Sequence, residues 1–357
     1  MGSGLFNMLL VRNIILSGVL VVFSPGLWAV DCVPGDISLG SQADIDAFQL
    51  DHGPCDRVAG GLDIMGADIF NLDGLGAISA VGGDLFITET FNLGNLDGLS
   101  TLTNVDGDFG IFHDFALTSI DGLSSLTHVG GGFGIYANPE LPNIDGLSAL
   151  TTVDGFMAVT DLHSLTSING LGALTRVGSH LIFTTDDLLT NLDPLAALGH
   201  VGGSLIIKFN PVLTQVNGLS ALRGAGVSVD IVGNDVLTNL DGLFAFTSVG
   251  MKLNVQSNQS LANCAGLALL VDARDHAQPG PGTGSVPDVG DEVILANNRA
   301  GCNSIQEILA RRDGPVLAIR EILARHDGPV LAIPALGTWS TVLLAALMLL
   351  PAVRRLA

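Results

Sequence analysis

The chain of 357 residues carries 14 Lys and Arg against 35 Asp and Glu, a formal net charge of −21. So acidic a chain repels the phosphates of nucleic acids, which excludes nucleic-acid binding as its function. Charged residues are only 14% of the chain, and 46 glycines accompany many Leu, Ile and Val residues. This composition is typical of a chain that turns often and packs on itself, not of a disordered acidic tail.

The N-terminus has the pattern of a secretory signal peptide. Arg12 precedes an apolar run over residues 13–23, and the small residue Ala29 offers a cleavage site before Val30. This order of basic, apolar and small residues predicts export and removal of residues 1–29. Because the residues next to Ala29 form an imperfect cleavage box, an uncleaved membrane anchor is the alternative.

Four cysteines lie in two pairs, Cys32 with Cys55 and Cys264 with Cys302. An even number of cysteines in an exported protein predicts disulfides rather than a metal site. One pair precedes the regular part of the chain and the other follows it, so we expect two bridges that fasten end caps. Residues 30–59 are the predicted N-terminal cap, with a short helix near residues 42–48.

Residues 60–270 repeat with a period of 24 residues. The most regular column holds Asp or Asn, usually followed by Gly: Asp73, Asp97, Asp121, Asp145, Asn169, Asp193, Asn217 and Asp241. Apolar residues recur in step and alternate with period two, which is the pattern of short strands. One unit cannot bury its apolar face alone, whereas stacked units can. The sequence therefore predicts an all-β parallel solenoid of about eight to nine turns.

One further column of the repeat is polar: Asp114, Asn138, Asp186, Asn210, Asn234 and Asn258. We expect it to form a ladder at a corner, where amide side chains bond neighbouring turns.

The repeat also resembles a known family. The unit reads Leu-x-Ile-x-x-Asn-x-x-Leu-Thr-x-Leu-Asp-Gly-Leu-x-x-Leu-Thr-x-Val-Gly-Gly, most clearly in residues 204–227 and 228–251. It is similar to the repeat of receptor L domains. That resemblance implies a right-handed β-helix related to leucine-rich repeats, which serves as a ligand-binding or structural module.

The chain after the repeats divides into three predicted segments. Residues 271–305 are a Pro/Gly-rich loop followed by a C-terminal cap. Residues 306–332 hold a tandem duplication, Glu307–Ile319 and Glu321–Ile333, which is a spacer or a slippage duplication without consequence. Residues 333–357 hold an uncharged run long enough to cross a bilayer, followed by Arg354 and Arg355, which predict a cytoplasmic end.

The last segment begins with Ile333, Pro334, Leu336 and Trp339. This arrangement resembles the IPTL-CTERM sorting signal of Gram-negative bacteria, with Ala335 where the family usually has Thr. The resemblance implies membrane retention through a C-terminal helix, processing by an exosortase-type enzyme, and display at the cell surface. A permanent membrane anchor is the alternative.

Three features bear on ligands. The Asp–Gly column is interpreted as turn-forming aspartates, with bound Ca²⁺ as a weaker alternative and no other cofactor expected. His113, in the column of Glu89 and Asp161, is interpreted as a solvated side chain rather than a metal ligand. Phe86, Phe112 and Tyr136 occupy outward positions of neighbouring strands, which predicts an exposed surface for a glycan or a protein. Ordinary cross-strand stacking of these rings is the alternative.

No catalytic motif is present in the sequence, so the predicted function is non-enzymatic. We expect a surface-displayed repeat protein that acts as a binding, adhesion or structural module of the bacterial cell envelope. The alternative is a secreted carbohydrate-active β-helix enzyme, because parallel β-helices can carry pairs of catalytic carboxylates on one face.

Overall fold

The computed structural model describes residues 30–32, 35–275, 288–290 and 292–310. In this part of the chain, successive turns each add one strand to each of two parallel sheets. Strands of adjacent turns pair residue for residue at the repeat spacing, for example Leu181 with Leu205 and Phe183 with Ile207. The predicted parallel β-solenoid is therefore confirmed, since identical columns of the repeat lie on top of one another.

The described turns have three sides. The wide sheet contains 11 strands: Ile37–Leu39, Leu62–Met65, Leu85–Thr88, Phe109–Phe112, Phe133–Tyr136, Met157–Thr160, Leu181–Thr184, Leu205–Lys208, Ser228–Val232, Lys252–Gln256 and Glu292–Ala296. The narrow sheet contains 10 strands: Arg57–Val58, Ala80–Val81, Asn104–Val105, His128–Val129, Thr152–Val153, Arg176–Val177, His200–Val201, Gly224–Ala225, Ser248–Val249 and Asp288–Val289. The third side is a column of 3₁₀ helices: Asp73–Leu75, Asp97–Leu99, Asp121–Leu123, Asp145–Leu147, Asn169–Leu171, Asp193–Ala197, Asn217–Ala221, Asp241–Leu243 and Ala265–Leu267.

The apolar columns form one continuous core inside the coil. The inward residues of the wide sheet, such as Leu85 and Ile87, are fully buried, and so is the Val column of the narrow sheet. Phe109 and Phe133 stack in the core with ring centroids 4.9 Å apart. Each turn thus buries its apolar residues against the turns before and after it, which one unit alone cannot do.

The residues of the Asp–Gly column begin the 3₁₀ helices. We predicted that the aspartate side chains would close these turns, but they do not. The residue two positions earlier does so instead. Asn95 Oδ1 accepts the N–H of Asp97 at 3.0 Å, and the same bond recurs along the column. The carboxylate of Asp97 is left exposed. Gly98 is required for another reason, because a Cβ there would overlap the carbonyl of Leu72 in the preceding turn.

The predicted polar ladder is confirmed, and it is completely buried. Asn210, Asn234 and Asn258 each bond both neighbouring turns, whereas Asn138 bonds only the preceding turn, because Leu162 takes the equivalent place in the next one. Asn210, for example, donates from Nδ2 to the carbonyl of Phe183 at 3.1 Å, and its backbone N–H donates to Asn234 Oδ1 at 3.1 Å. The ladder satisfies backbone groups that would otherwise be unpaired at the corner after each wide-sheet strand.

Both predicted disulfides are present at the ends of the coil. Cys32–Cys55 joins Cα atoms 5.0 Å apart, beside helix Gln42–Asp51, which contains the predicted short helix and buries Ile45 and Phe48. Cys264–Cys302 joins Cα atoms 5.6 Å apart. It ties the last 3₁₀ helix, which is followed by helix Ala268–Asp275, to the C-terminal cap.

Several predicted segments lie outside the described residues. They are the signal peptide 1–29, most of the duplicated segment 306–332 and the sorting segment 333–357. In the described ranges, no helix is long and apolar enough to cross a bilayer.

Candidate binding face of the wide sheet

Four aromatic side chains lie on the outer face of the wide sheet, and we call them the aromatic strip: Phe86, Phe112, Tyr136 and Phe156. The ring centroids of Phe86 and Phe112 are 6.0 Å apart, and those of Phe112 and Tyr136 are 5.2 Å apart. Adjacent rings are inclined by 32° and 29°. The structure therefore brings the three predicted residues together on consecutive turns. Each ring is half-buried rather than fully exposed.

Glycines under the rings explain this partial burial. Gly110 and Gly134 occupy outward positions two residues before Phe112 and Tyr136, in Gly-Ile-aromatic sequences. A Cβ on Gly110 would overlap the Phe112 ring, and one on Gly134 would overlap the Tyr136 ring. Both rings therefore lie across bare backbone, where one face is covered and the other is available. The same burial raises the pKa of the Tyr136 phenol above its usual value.

Phe156 belongs to the strip and was missed from the sequence. It lies just before strand Met157–Thr160, and a Cβ on Gly132 of the preceding turn would overlap its ring. Phe156 lies two residues before Ala158, so its side chain points outward as that of Ala158 does. The equivalent position one turn earlier in the chain is a glycine, Gly132. That combination of parity and glycine spacing is the signal that would have found it.

Beyond the strip, the same face becomes polar. The hydroxyls of Thr160 and Thr184 are 3.1 Å apart. Lys208 and Asp230 lie in the next two turns, and Lys208 Nζ is 3.6 Å from Asp230 Oδ1. Burial disfavours the charged form of Asp230, but hydrogen bonds from Asn254 and Ser228 and the Lys208 charge outweigh it and lower its pKa. The face thus combines apolar rings with hydroxyl, carboxylate and amide groups at one end.

The corner after each wide-sheet strand holds the column of Glu89, His113 and Asp161. All three adopt left-handed backbone conformations, with φ of 55°, 59° and 61°. His113 is exposed, and its ring centroid lies 6.5 Å from that of Phe115. Among the side chains that the structure describes, no group of three or more His, Cys, Asp or Glu converges as metal ligands do.

A second aromatic pair stands at this corner. Phe91 and Phe115 stack with centroids 5.7 Å apart and planes 13° apart, and their side chains are 43% and 50% exposed. No glycine lies beneath either ring among the contacts of the described glycines. This pair stands apart from the sheet face and offers a natural comparison for the strip.

The chain was compared with known proteins. No protein-family model matches it, and no curated protein is similar to it in sequence.

Proposed function

We propose that this protein is a non-enzymatic binding module of a bacterial cell envelope, and that the aromatic strip binds a glycan. The observation that carries the proposal is the row of rings lying across glycines on consecutive turns. A flat ring with one free face stacks against the apolar C–H face of a sugar, and consecutive rings suit consecutive sugar units. Neighbouring hydroxyls such as Thr160 and Thr184 suit the hydroxyls of the same ligand.

Export supports the cell-surface part of the proposal. Two disulfides within the described residues suit an oxidising compartment, and the N-terminal pattern suits secretion. In this proposal the coil is a right-handed, receptor L-domain-like β-helix. The segment from Ile333 to Trp339 then acts as an IPTL-CTERM signal for an exosortase-type enzyme, and the following apolar run holds the chain in the membrane before processing.

A paired substitution tests the strip. Phe112→Ser with Tyr136→Ser should weaken binding to purified envelope polysaccharide by about tenfold or more, since each lost stacking contact contributes about 0.5–1.5 kcal/mol. Affinity electrophoresis measures this change. The matched control is Phe91→Ser with Phe115→Ser, which removes the other stacked pair and should leave binding unchanged. Undiminished binding by the strip variant, or loss only in the control, would overturn the assignment of the strip.

The alternative function, a carbohydrate-active enzyme, predicts a different fate for the polysaccharide. A carbohydrate-active enzyme releases product from the polysaccharide over time, whereas a binding module retains it intact. Chromatography of the polysaccharide after long incubation with the protein distinguishes the two, and we expect no new reducing ends.

Localisation has its own test in the native host. We expect cell fractionation to find the protein at the surface or in the medium, and mass spectrometry to place its ends at about residues 30 and 333. Full-length protein retained in the inner membrane would instead show a permanently anchored module and remove the adhesive role.

A further inference from the structure

The narrow sheet is interrupted at one place between residues 56 and 247 of the described chain. In neighbouring turns the residue before each narrow strand donates its N–H to its counterpart one turn back, as Thr175 does to Thr151 at 2.9 Å and Gly199 to Thr175 at 3.0 Å. Arg223 makes no such bond to Gly199, although Thr247 bonds Arg223 at 2.7 Å. Only Val201 and Ala225 remain paired between these two strands.

The sequence of this turn explains the interruption. Residues 223–226 read Arg-Gly-Ala-Gly, where most turns have Thr-x-Val followed by Gly or Asp. Without a side chain at Gly224, the next turn moves in close, and a Cβ there would lie 2.6 Å from Ser248 Oγ. The strand Gly224–Ala225 therefore approaches Ser248, and its pairing with His200 is lost.

A cleft of about 240 Å³ opens at the interruption. Residues 199–202, residues 223–226 and Ser248 line it. Its volume is below the range of sites for drug-sized molecules, so it suits one small functional group of a ligand.

A basic side chain without an ion-pair partner among the described residues, Arg223, lines the cleft. Among the described basic side chains, Arg57 lies 3.3 Å from Asp106, and Lys252 lies 3.2 Å from Glu292. Arg223 has no ion pair and no side-chain hydrogen bond to any described residue. Arg176 likewise has no ion pair to a described residue, but of the two only Arg223 lines the cleft.

We propose that this cleft binds an oxyanion group, a carboxylate or a sulfate, carried by a small ligand. The Arg223 guanidinium presents paired N–H donors that match two oxygens of such a group. The free backbone N–H of Arg223, the Ser248 hydroxyl and the His200 imidazole supply further donors around it. The site lies on the narrow sheet, so it is separate from the aromatic strip and does not depend on the function proposed for it.

Titration of the full-length protein with sodium acetate and with sodium sulfate tests this proposal. Chloride keeps the ionic strength constant, and the amide chemical shifts of Gly224 and Gly226 report binding. We expect saturable shifts with at least one anion, and the relative affinities show whether the site prefers carboxylate or sulfate. Arg223→Thr, which installs the usual residue of this column, should weaken binding by about tenfold or more.

Two further variants make the test specific. Arg176→Thr removes the same charge from the neighbouring turn, outside the lining of the cleft, and should change affinity by less than about twofold. Gly199→Thr keeps every charge and adds a side chain to the lining of the cleft. A Cβ at this position meets no atom within 4 Å, so the fold should persist, and we expect binding to weaken. Absence of saturable shifts in the native protein, or equal losses in Arg176→Thr and Arg223→Thr, would overturn the proposal.

Discussion

Asp114 and Asp186 are the two carboxylates in a buried ladder otherwise built mainly of asparagine amides. Asp114 Oδ1 accepts from the backbone N–H and the hydroxyl of Thr90 at 2.7 and 2.6 Å. The other oxygen of each aspartate, Oδ2, is buried without a partner. In Asn138 and Asn210 the second atom is an NH₂ group that donates to a carbonyl 27 residues earlier in the chain. A protonated Oδ2 supplies the same donor, so these sites favour the neutral acid.

The pKa values follow from this geometry. Burial is the main cause that raises the pKa of Asp114 from 3.8 to about 6, against the opposing hydrogen bonds from Thr90. Burial likewise raises the pKa of Asp186 well above its usual value. Because the folded state then holds the proton more tightly than the unfolded state, the free energy of unfolding falls as pH rises from about 4 to about 6 and stays lower above that range.

Asp114→Asn is therefore expected to stabilise the protein at pH 7. A pKa shift of about two units corresponds to at most about 3 kcal/mol, and the amide supplies the missing donor without ionising. Near pH 4 the native carboxyl is largely protonated and the gain should shrink towards zero. Urea denaturation at both pH values measures the difference. A gain that is equal at pH 4 and pH 7 would show that ionisation of Asp114 is not its cause.

The repeated element owes its compactness to backbone contacts between turns. In the 3₁₀ helices, the glycine after the aspartate lies against the carbonyl of a residue one turn earlier, as Gly98 does against Leu72. These glycines are needed because the chain passes too close for any side chain. The neighbouring loop is different, since a Cβ on Gly94 meets no atom within 4 Å.

Gly98→Ala is expected to destabilise the protein by about 1–3 kcal/mol, as other substitutions that overfill a packed core do. Gly94→Ala, four residues away, should be neutral or should stabilise by up to about 1 kcal/mol through the unfolded chain. Thermal and urea unfolding of the two variants make the comparison. Equal effects would mean that the contact with Leu72 does not constrain the turn.

The whole molecule carries its negative charge in ordered rows. Asp73, Asp97, Asp121 and Asp145 are exposed on consecutive turns, so like charges recur at about the strand spacing of 4.8 Å. Partners from the next turn relieve some of this repulsion: Asn263 donates to Asp241 at 3.1 Å, and Gln215 donates to Asp193 at 3.0 Å. The remaining repulsion acts against the folded coil.

Added NaCl should therefore raise the melting temperature by a few degrees, because salt screens exposed charges. Excess EDTA at constant ionic strength should leave the melting temperature unchanged, since the turns close through asparagine and serine side chains rather than through the aspartates. Calorimetry on the full-length protein checks both expectations. A fall in melting temperature with EDTA that Ca²⁺ reverses would establish calcium in the Asp–Gly column instead.

The sequence by itself determined the repeat, the parallel solenoid, the polar ladder at the corner and both disulfides. The first three follow from spacing, because a strict 24-residue period brings equal residues into contact on adjacent turns, whereas the disulfides follow from the even number of cysteines and their places on either side of the repeats. The outward direction of Phe86, Phe112 and Tyr136 followed from strand parity in the same way.

Only the tertiary structure decided how close adjacent turns come and where that spacing fails. It placed the rings of Phe112 and Tyr136 across glycines, left Oδ2 of Asp114 without a donor and opened the cleft beside Arg223. It also showed that the turns are closed by the side chains two positions before the aspartates, and not by the aspartates themselves. These outcomes depend on distances between atoms in different turns, which are set by packing and hydrogen bonding and not by the order of residues within one repeat.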